Sequence, residues 1–262
     1  MTTSESTDIL GIERSETGVV TLTLRRPPVN AMSPELIDEL LDAVDMLAED
    51  GSARAVLFRG ANDRWCAGAD IGVMSDHTRK TYRRMRRQVE VEDALERLEK
   101  PVVVAIERWA LGGGCELALA CDVRVMGEGA VIGLPEAGLG LLPGAGGTQR
   151  LTRLVGTQRA FWMMATGMKV PAAQAMEWGL VNEVVPDDGV VARATEIAEQ
   201  LAGGATRAIG QIKRLVYECW GRELPSGLQR EGDAVWELLK TDDLREGFAA
   251  FGEKREPKFT GS

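Results

Sequence analysis

Three consecutive glycines followed by an acid form the stretch of this chain best suited to chemistry. Gly112, Gly113 and Gly114 precede Glu116, and the apolar run that follows predicts a buried helix over residues 114–121. Glycine permits a tight turn and leaves its N–H groups open to a ligand, and the N-terminus of a helix adds positive potential. Glu116 is expected in the first helical turn. The segment therefore predicts an anion-stabilising site with a carboxylate beside it.

A second acid and a second turn of small residues could complete such a site. Glu136 follows a proline, and residues 67–70 (Ala-Gly-Ala-Asp) follow a predicted strand. The N–H groups of Ala69 and Gly113, from two different loops, could converge on one oxygen, as the donors of an oxyanion hole do. Each acid alone has an ordinary structural explanation, because acids are common in first helical turns. Only their combination with both loops predicts general acid–base catalysis.

The chain lacks the residues needed for several other kinds of site. His77 is the only histidine, so a histidine-rich metal site is excluded, and neither a metal centre nor imidazole catalysis is predicted. The four cysteines form no Cys-x-x-Cys pair and are interpreted as reduced, buried thiols. Residues 143–148 resemble a phosphate loop but lack its Gly-Lys-Ser/Thr ending. They are interpreted as a turn that caps the next helix, with a role in shaping the pocket as the alternative.

Composition bounds the possible partners. The chain has 262 residues, 44% of them hydrophobic, which suits one large domain or a domain with a helical extension. A net charge of −9 disfavours nucleic-acid binding.

No apolar run approaches the roughly 20 residues of a membrane span, and the polar N-terminus lacks a signal core, so a cytoplasmic protein is expected. The basic run 79–87 is interpreted as a solvated helix face; the alternative is a surface for a phosphate-bearing ligand or an acidic neighbour.

The hydrophobic residues of the chain follow a spacing typical of strands in some segments and of helices in others, and these elements must position the candidate site residues. Alternation over residues 9–14 and 19–24 predicts a hairpin, and Ser33 before Pro34 predicts the start of a helix that ends near Asp50. Buried strands are predicted at 54–59, 101–106 and 123–126, separated by helices at 81–98 and 114–121. Helices dominate from about residue 157, with a possible short strand at 180–185. This order predicts an α/β fold.

A set of ordered motifs resembles the enoyl-CoA hydratase/isomerase (crotonase) superfamily and, within it, the enoyl-CoA hydratases most. The similarity runs from about Val19 to the C-terminus. The motifs that carry it are residues 26–31, 66–70, 110–116, 135–136, 142–151, 241–248 and 253–255. The resemblance implies a spiral of ββα units over residues 1–200 and a helical C-terminal region over 201–262. That region would mediate homotrimers, often paired into hexamers.

The resemblance also implies an activity and a set of site residues. The substrate would be an acyl-CoA thioester, whose oxygen would accept the N–H groups of Ala69 and Gly113. Glu116 and Glu136 fall where the hydratase acids fall, which favours hydration of an enoyl-CoA double bond without metal or redox cofactor. We expect Glu136 to be the main proton donor and Glu116 to orient and activate water. Further substrate contacts are expected from Ala67, Asp70, Ile71, Gly112 and Leu134.

Three positions depart from the family pattern. Arg108, between Glu107 and Trp109, stands where a glycine is usual before the oxyanion loop. Gly72 stands where many relatives carry a lysine, and Leu134 where straight-chain hydratases often have glutamine, a change that bears on the acyl pocket. Two alternatives to a hydratase stay open. One is another crotonase reaction, such as double-bond isomerisation or dehydration of a hydroxyacyl-CoA, and the other is an acyl-CoA-binding protein without catalysis.

Overall fold

Two β-sheets and twelve α-helices make up the part of the chain that the computed structural model describes, residues 8–75 and 77–262. The strands are β1 (Leu10–Arg14), β2 (Val19–Leu24), β3 (Ala55–Gly60), β4 (Val102–Ile106), β5 (Trp109–Leu111), β6 (Val123–Gly127), β7 (Val131–Gly133), β8 (Lys169–Pro171) and β9 (Glu183–Val185). The helices are α1 (Pro34–Glu49), α2 (Ile71–Met74), α3 (Arg79–Arg86), α4 (Gln88–Arg97), α5 (Gly113–Leu119), α6 (Gly147–Val155), α7 (Thr157–Thr166), α8 (Ala172–Glu177), α9 (Val190–Ala202), α10 (Thr206–Glu218), α11 (Leu224–Leu238) and α12 (Asp242–Glu253). The acidic N-terminal residues 1–7 lie outside the described range. This alternation confirms the predicted α/β class.

The larger sheet is almost entirely parallel, in the order β1-β2-β3-β4-β6-β9. Only the β1–β2 pair is antiparallel, with Leu10 opposite Leu24, which is the predicted hairpin. β4, the sequence Val-Val-Val-Ala-Ile, is buried at all five positions. Such continuous apolar runs are typical of parallel strands that are covered by helices on both faces. The sheet therefore forms the centre of the fold.

Helix α1 begins where the sequence predicts. The Ser33 side chain accepts the Leu36 N–H at 3.3 Å, and Pro34 occupies the first helical position, where its missing N–H costs nothing. The apolar positions of the helix then face the main core, among them Leu36, Ile37 and Leu40, all completely buried. On the other face of the sheet, α9 packs with small residues, including Ala194 and Ala198.

Helix boundaries around the glycine segment differ from the sequence prediction. The helix predicted over 81–98 is divided into α3 and α4 at Arg87, whose N–H bonds to the carbonyl oxygen of Arg84 in a tighter turn. Helix α5 starts at Gly113, one residue before the predicted start. Gly112 alone precedes it, with φ +51°. A positive φ of this kind favours glycine, because a Cβ atom would be strained there.

The smaller sheet, in the order β5-β7-β8, is absent from the sequence prediction, since each of its strands has only three residues. β5 and β7 are parallel and end side by side at Leu111 and Gly133. The Gly112 N–H then donates to the Gly133 carbonyl at 2.9 Å. This sheet therefore brings the glycine turn and the segment that leads to Glu136 next to each other.

The C-terminal part of the described chain is helical, as predicted, and consists of α10, α11 and α12. The division proposed between residues 200 and 201 falls within α9, and a separate C-terminal region stays a prediction. Within residues 8–75 and 77–262, none of the helices has the length and apolar character needed to span a bilayer.

Candidate active site

The first turn of α5 presents the main-chain N–H of Gly113. The first N–H groups of a helix have no intrahelical acceptor, so they are available to a ligand. The Gly112 N–H is already used by Gly133, and the Gly112 carbonyl accepts the Glu116 N–H at 2.9 Å. Gly113 is buried, with Gln88 packed against the position that a side chain would occupy. The start of α5 is thus held in place, while the Gly113 N–H has no hydrogen-bond acceptor within the helix.

The second turn, with Ala69, lies against the first. Met32 donates its N–H to the Gly68 carbonyl at 2.8 Å and accepts the Asp70 N–H at 3.0 Å. Because Met32 bonds to the two neighbours of Ala69, the Ala69 N–H points away from this bridge. Gly68 has φ +110°, and a Cβ atom there would lie 3.4 Å from the Gly113 nitrogen. The two predicted oxyanion residues therefore belong to turns in direct contact.

Glu116 is buried one helical turn beyond Gly113. Its Oε1 atom accepts two main-chain N–H groups, from Ala145 at 2.7 Å and from Gly147 at 2.8 Å. Burial raises the pKa of Glu116, whereas these two N–H groups and the charge of Arg150 oppose the rise. The loop at 143–148 thus does more than cap α6, because its N–H groups hold the Glu116 carboxylate in one orientation.

Glu136 opens a short 3-10 turn, Glu136–Leu139, after β7. Its Oε1 atom lies 3.1 Å from where a Cβ atom of Gly112 would be, so it reaches the glycine turn. Its Oε2 atom is buried and has no hydrogen-bond partner among the described residues. Burial raises the pKa of Glu136 to about 7, and the charge of Glu116 adds to the rise. The two acids predicted from the sequence therefore adjoin the same turn in different environments.

The other residues predicted to contact the substrate differ in their hydrogen bonds and in their exposure to solvent. The Ala67 N–H donates to Val29, while Asp70 caps α2 and pairs with Arg26 at 2.5 Å. Burial alone would raise the pKa of Asp70, but Arg26 holds it below its usual value. Ile71 is 63% exposed and Leu134 is completely buried. Substrate contact at these positions stays a prediction.

Three buried polar residues next to the acids are missing from the sequence prediction. Gln88 and Glu92 on α4 are 3% and 0% exposed, and Arg150 on α6 is 9% exposed. Glu92 accepts hydrogen bonds from Gln88 at 2.8 Å and from Arg150 at 3.2 Å. The signal in the sequence was the four-residue spacing of Gln88 and Glu92, which places both on one helix face.

The Arg108 departure leaves the approach to the oxyanion loop intact. Arg108 has φ +60°, a left-handed conformation that explains why glycine suits this position. The Arg108 carbonyl still accepts the Val131 N–H at 2.9 Å, and β5 begins at the next residue. The chain therefore enters the small sheet in register despite the substitution.

The basic run has two faces on α3. Arg84 and Arg87 form ion pairs with Glu35 and Asp38 on α1. Arg84 and Arg87 thus pair with an acidic neighbour, as in the alternative, while their side chains stay 45% and 43% exposed, as expected of a solvated face. Arg79, Arg83 and Arg86 share the other face by their i, i+4, i+7 spacing and form no ion pair with another described residue.

The four cysteines are free thiols. Cys66, Cys115 and Cys121 are buried and Cys219 is half-buried, with no disulfide among the described residues, as the sequence predicted. Burial raises the pKa of the Cys66 thiol to about 12. The three buried cysteines therefore act as small apolar residues rather than as nucleophiles.

Known proteins match this chain along nearly its whole length. A family model described as enoyl-CoA hydratase/isomerase matches residues 14–262. The chain is 41% identical over 253 residues to the "Probable enoyl-CoA hydratase 2, mitochondrial" of Arabidopsis thaliana, covering 95% of this chain and 83% of that protein. It is 38% identical to the 2,3-dehydroadipyl-CoA hydratase of Escherichia coli K12, covering 93% and 95%.

A solved structure extends the similarity to the fold. The enoyl-CoA hydratase from Bacillus anthracis superimposes with a TM-score of 0.93 at 36% sequence identity, over 97% of this chain and 100% of that one. The chain belongs to the enoyl-CoA hydratase/isomerase family. The crotonase-like α/β fold expected from the resemblance is confirmed.

Proposed function

We propose that this protein is an enoyl-CoA hydratase, which adds water reversibly across the 2,3 double bond of an enoyl-CoA thioester. One observation carries the proposal: two carboxylates, Glu116 and Glu136, adjoin two contacting turns whose N–H groups are aimed away from their own secondary structure. Full-length similarity to hydratases supports it. The substrate would be an acyl-CoA, and the reaction needs no cofactor because the substrate itself carries the activating thioester.

The mechanism follows the movement of charge. When water adds to the β-carbon, negative charge collects on the thioester oxygen, where the N–H groups of Ala69 and Gly113 stabilise it. Fixed main-chain donors are effective here because they need no reorganisation as the charge develops, and loss of one such donor costs about 10²–10³ in rate. The two acids then transfer protons between water and the α-carbon.

The environments of the acids support a division of roles. Glu116 accepts two N–H groups on Oε1, which favours its ionised form and leaves Oε2 to accept a proton from water. Glu136 has a pKa of about 7, raised by burial, so its protonated form is populated at neutral pH. We assign proton donation to the α-carbon to Glu136 and orientation and activation of water to Glu116, the assignment expected from the sequence.

Three arginines of α3 that form no ion pair with another described residue support recognition of the CoA phosphates. Arg79, Arg83 and Arg86 lie on one face of this helix, and the charge of Arg86 is among those that oppose the rise in the pKa of Glu116, which supports a location of this face near the site. Lysine is absent at Gly72, and three arginines on a neighbouring helix could replace it as phosphate partners. We propose that this face binds the pyrophosphate and 3′-phosphate of CoA.

The assembly proposed is a homotrimer or a dimer of trimers, formed through the C-terminal helices. Phe248 and Phe251 on α12 are 69% and 86% exposed in the single chain and line an apolar groove of about 480 Å³ with Phe259. Exposed aromatic residues on this scale mark an interaction surface. The cytoplasmic location expected from the sequence stays a prediction.

Hydration of crotonyl-CoA tests the proposal. Loss of the conjugated thioester absorbance together with formation of 3-hydroxybutyryl-CoA supports a hydratase. A shifted double bond without uptake of water would indicate an isomerase, and binding without turnover would indicate a non-catalytic protein. Glu136→Gln is expected to lower turnover by about 10²–10⁴ while binding of the thioester persists. Unchanged turnover in this variant would remove the assignment of Glu136.

A further inference from the structure

We propose that Gln88 and Glu92 are positioning residues that hold the oxyanion turn at Gly113 in place relative to the Glu116 carboxylate. Both lie on α4, outside every motif by which the sequence resembles its family, and both are buried. The inference rests on the proposed function, because it assigns these residues to the same site. It names a chain of hydrogen bonds that joins the two halves of that site.

The first link runs from α4 to the oxyanion turn. The Gln88 amide donates through Nε2 to the Gly113 carbonyl oxygen at 2.8 Å and to Glu92 Oε1 at 2.8 Å. A Cβ atom at Gly113 would lie only 2.7 Å from Gln88 Oε1, so the amide is packed tightly against the glycine. Gln88 thereby fixes the residue whose N–H is proposed to bind the thioester oxygen.

The second link runs from Glu92 to the loop that holds Glu116. Glu92 Oε2 accepts the Arg150 guanidinium at 3.2 Å, and Arg150 also donates to the Ala145 carbonyl at 3.0 Å. The N–H of Ala145 donates to Glu116 Oε1 at 2.7 Å. Gly113 and Glu116 lie on the same helix, so these contacts close a ring around the first turn of α5.

The burial of Glu92 argues against a merely incidental contact. A wholly buried carboxylate is costly unless it is paired and hydrogen-bonded. Burial raises the pKa of Glu92 well above its usual value, the charge of Glu116 raises it further, and Arg150 opposes both. Arg150 has two other carboxylate partners, Asp93 and Glu96, on its more exposed side. The arginine could therefore be neutralised without Glu92, whereas the link to Gln88 and Gly113 depends on it.

The proposed consequence is a loss of rate more than of binding. Displacement of a catalytic group by about 1 Å can reduce turnover by about 10²-fold, because the reacting geometry is lost. Removal of the Gln88–Glu92 link releases Gly113, while the phosphate and acyl contacts of the substrate stay in place. We therefore expect kcat to fall by about 10- to 100-fold with KM within about threefold.

The test uses Glu92→Gln and Gln88→Met, with Glu96→Gln as the matched control. A carboxamide has one acceptor oxygen where a carboxylate has two, so Glu92→Gln breaks one of its two contacts. Glu96→Gln does the same to the outer partner of Arg150, which accepts from Nε at 2.8 Å. Gln88→Met keeps the side-chain length and adds no buried charge. Besides crotonyl-CoA kinetics, infrared difference spectra record the C=O stretch of bound butyryl-CoA, a saturated thioester that is not turned over.

The expected result is a lower kcat and a weaker shift of the C=O stretch in Glu92→Gln and Gln88→Met, with Glu96→Gln like the wild type. Wild-type kcat and C=O frequency in both variants would overturn the inference, and so would equal losses in Glu96→Gln. Failure of Gln88→Met to fold would also overturn it, since the role would then be structural. Absence of hydration by the wild type, with the C=O effects still present, would instead remove only the proposed function.

Discussion

The two acids of the candidate site differ in how their oxygens are satisfied. Glu116 is held by the N–H groups of Ala145 and Gly147, while Oε2 of Glu136 is buried without a hydrogen-bond partner among the described residues. An unpartnered buried carboxylate is easier to protonate than one that accepts hydrogen bonds. Burial raises the pKa of both acids, but two N–H groups oppose the rise at Glu116, whereas the pKa of Glu136 reaches about 7. The proposed roles of the two acids divide along this difference.

The pH dependence of kcat/KM follows from this division. The pKa of Glu136 is raised by burial to about 7, and the proposed mechanism requires its protonated form. As the pH rises through 7 the protonated fraction falls, so kcat/KM is expected to decrease about tenfold per pH unit above this value. Stopped assays with crotonyl-CoA between pH 5 and 9 measure the profile. A flat profile up to pH 9 would contradict proton donation by Glu136.

The sequence identifies as candidates those residues that lie in a recognisable motif, and their roles stay a prediction. Ala69, Gly113, Glu116 and Glu136 were all named, and the structure brings them into adjacent turns. Gln88 was not named, because a polar residue on an amphipathic helix has the same pattern whether it faces solvent or a buried carbonyl. Only the tertiary position of α4 against α5 distinguishes the two.

At the scale of elements, the close approach of two turns determines what α5 can accommodate. Gly114 faces the Cys66 main chain, and a Cβ atom there would lie 2.4 Å from the Cys66 carbonyl oxygen. The Trp65 indole N–H also donates to the Gly114 carbonyl at 2.8 Å. The turn that carries Ala69 follows directly after Cys66, so any added volume at Gly114 separates the two oxyanion turns.

Gly114→Ala is accordingly expected to impair both stability and turnover. Overpacking of a tight core costs about 1–3 kcal/mol, and a shift of one oxyanion turn reduces turnover by about 10²-fold. Thermal unfolding and crotonyl-CoA hydration measure the two effects. Gly51→Ala is the control, because a Cβ atom at Gly51 meets no atom within 4 Å. Equal behaviour of the two variants would show that the turns tolerate separation.

Helix α3 makes a separate prediction about the CoA moiety. The double variant Arg79→Gln/Arg83→Gln is expected to raise the KM for crotonyl-CoA about 3- to 30-fold, with kcat unchanged, because it removes charge that attracts the phosphates. Crotonyl-pantetheine, which lacks those phosphates, should show no such change. Arg84→Gln, on the face paired with α1, serves as the protein control. An equal rise with both substrates would contradict phosphate binding by this face.

Helices and strands are predicted correctly from the sequence where the hydrophobic spacing continues over enough residues. Helix α1 and strand β4 have enough residues to show a clear pattern, and both lie where expected. Strands β5, β7 and β8 have three residues each, too few for a period of two to be recognised. These short strands place the glycine turn beside Glu136, so the geometry of the site depended on elements that the pattern could not reveal.

At the scale of the whole molecule, large apolar side chains on the C-terminal helices are exposed to solvent in the single chain. Trp236 on α11 is 63% exposed, and Phe248 and Phe251 on α12 are exposed to a similar or greater degree. Burial of such side chains contributes roughly 1.5–3 kcal/mol each. Association of copies through this face would remove them from water and stabilise the helices that carry them.

Phe251→Asp is expected to weaken assembly. The wild type should sediment at three or six times 28.4 kDa, and the variant should shift toward the single-chain mass because a charge would be buried at the interface. Asn62→Asp adds the same charge at an exposed turn outside these helices and should leave the mass unchanged. Sedimentation equilibrium measures all three proteins. A monomeric wild type would contradict the trimer.

The donors assigned to the thioester oxygen belong to the peptide backbone at residues 69 and 113, which has a consequence for how this scaffold can diversify. No side-chain replacement deletes a main-chain N–H other than a change to proline, so the proposed enolate stabilisation would persist wherever the backbone of these two turns is kept. Substitutions can then move or remove the acids while the main-chain N–H donors stay in place. The same architecture is thereby open to new reactions.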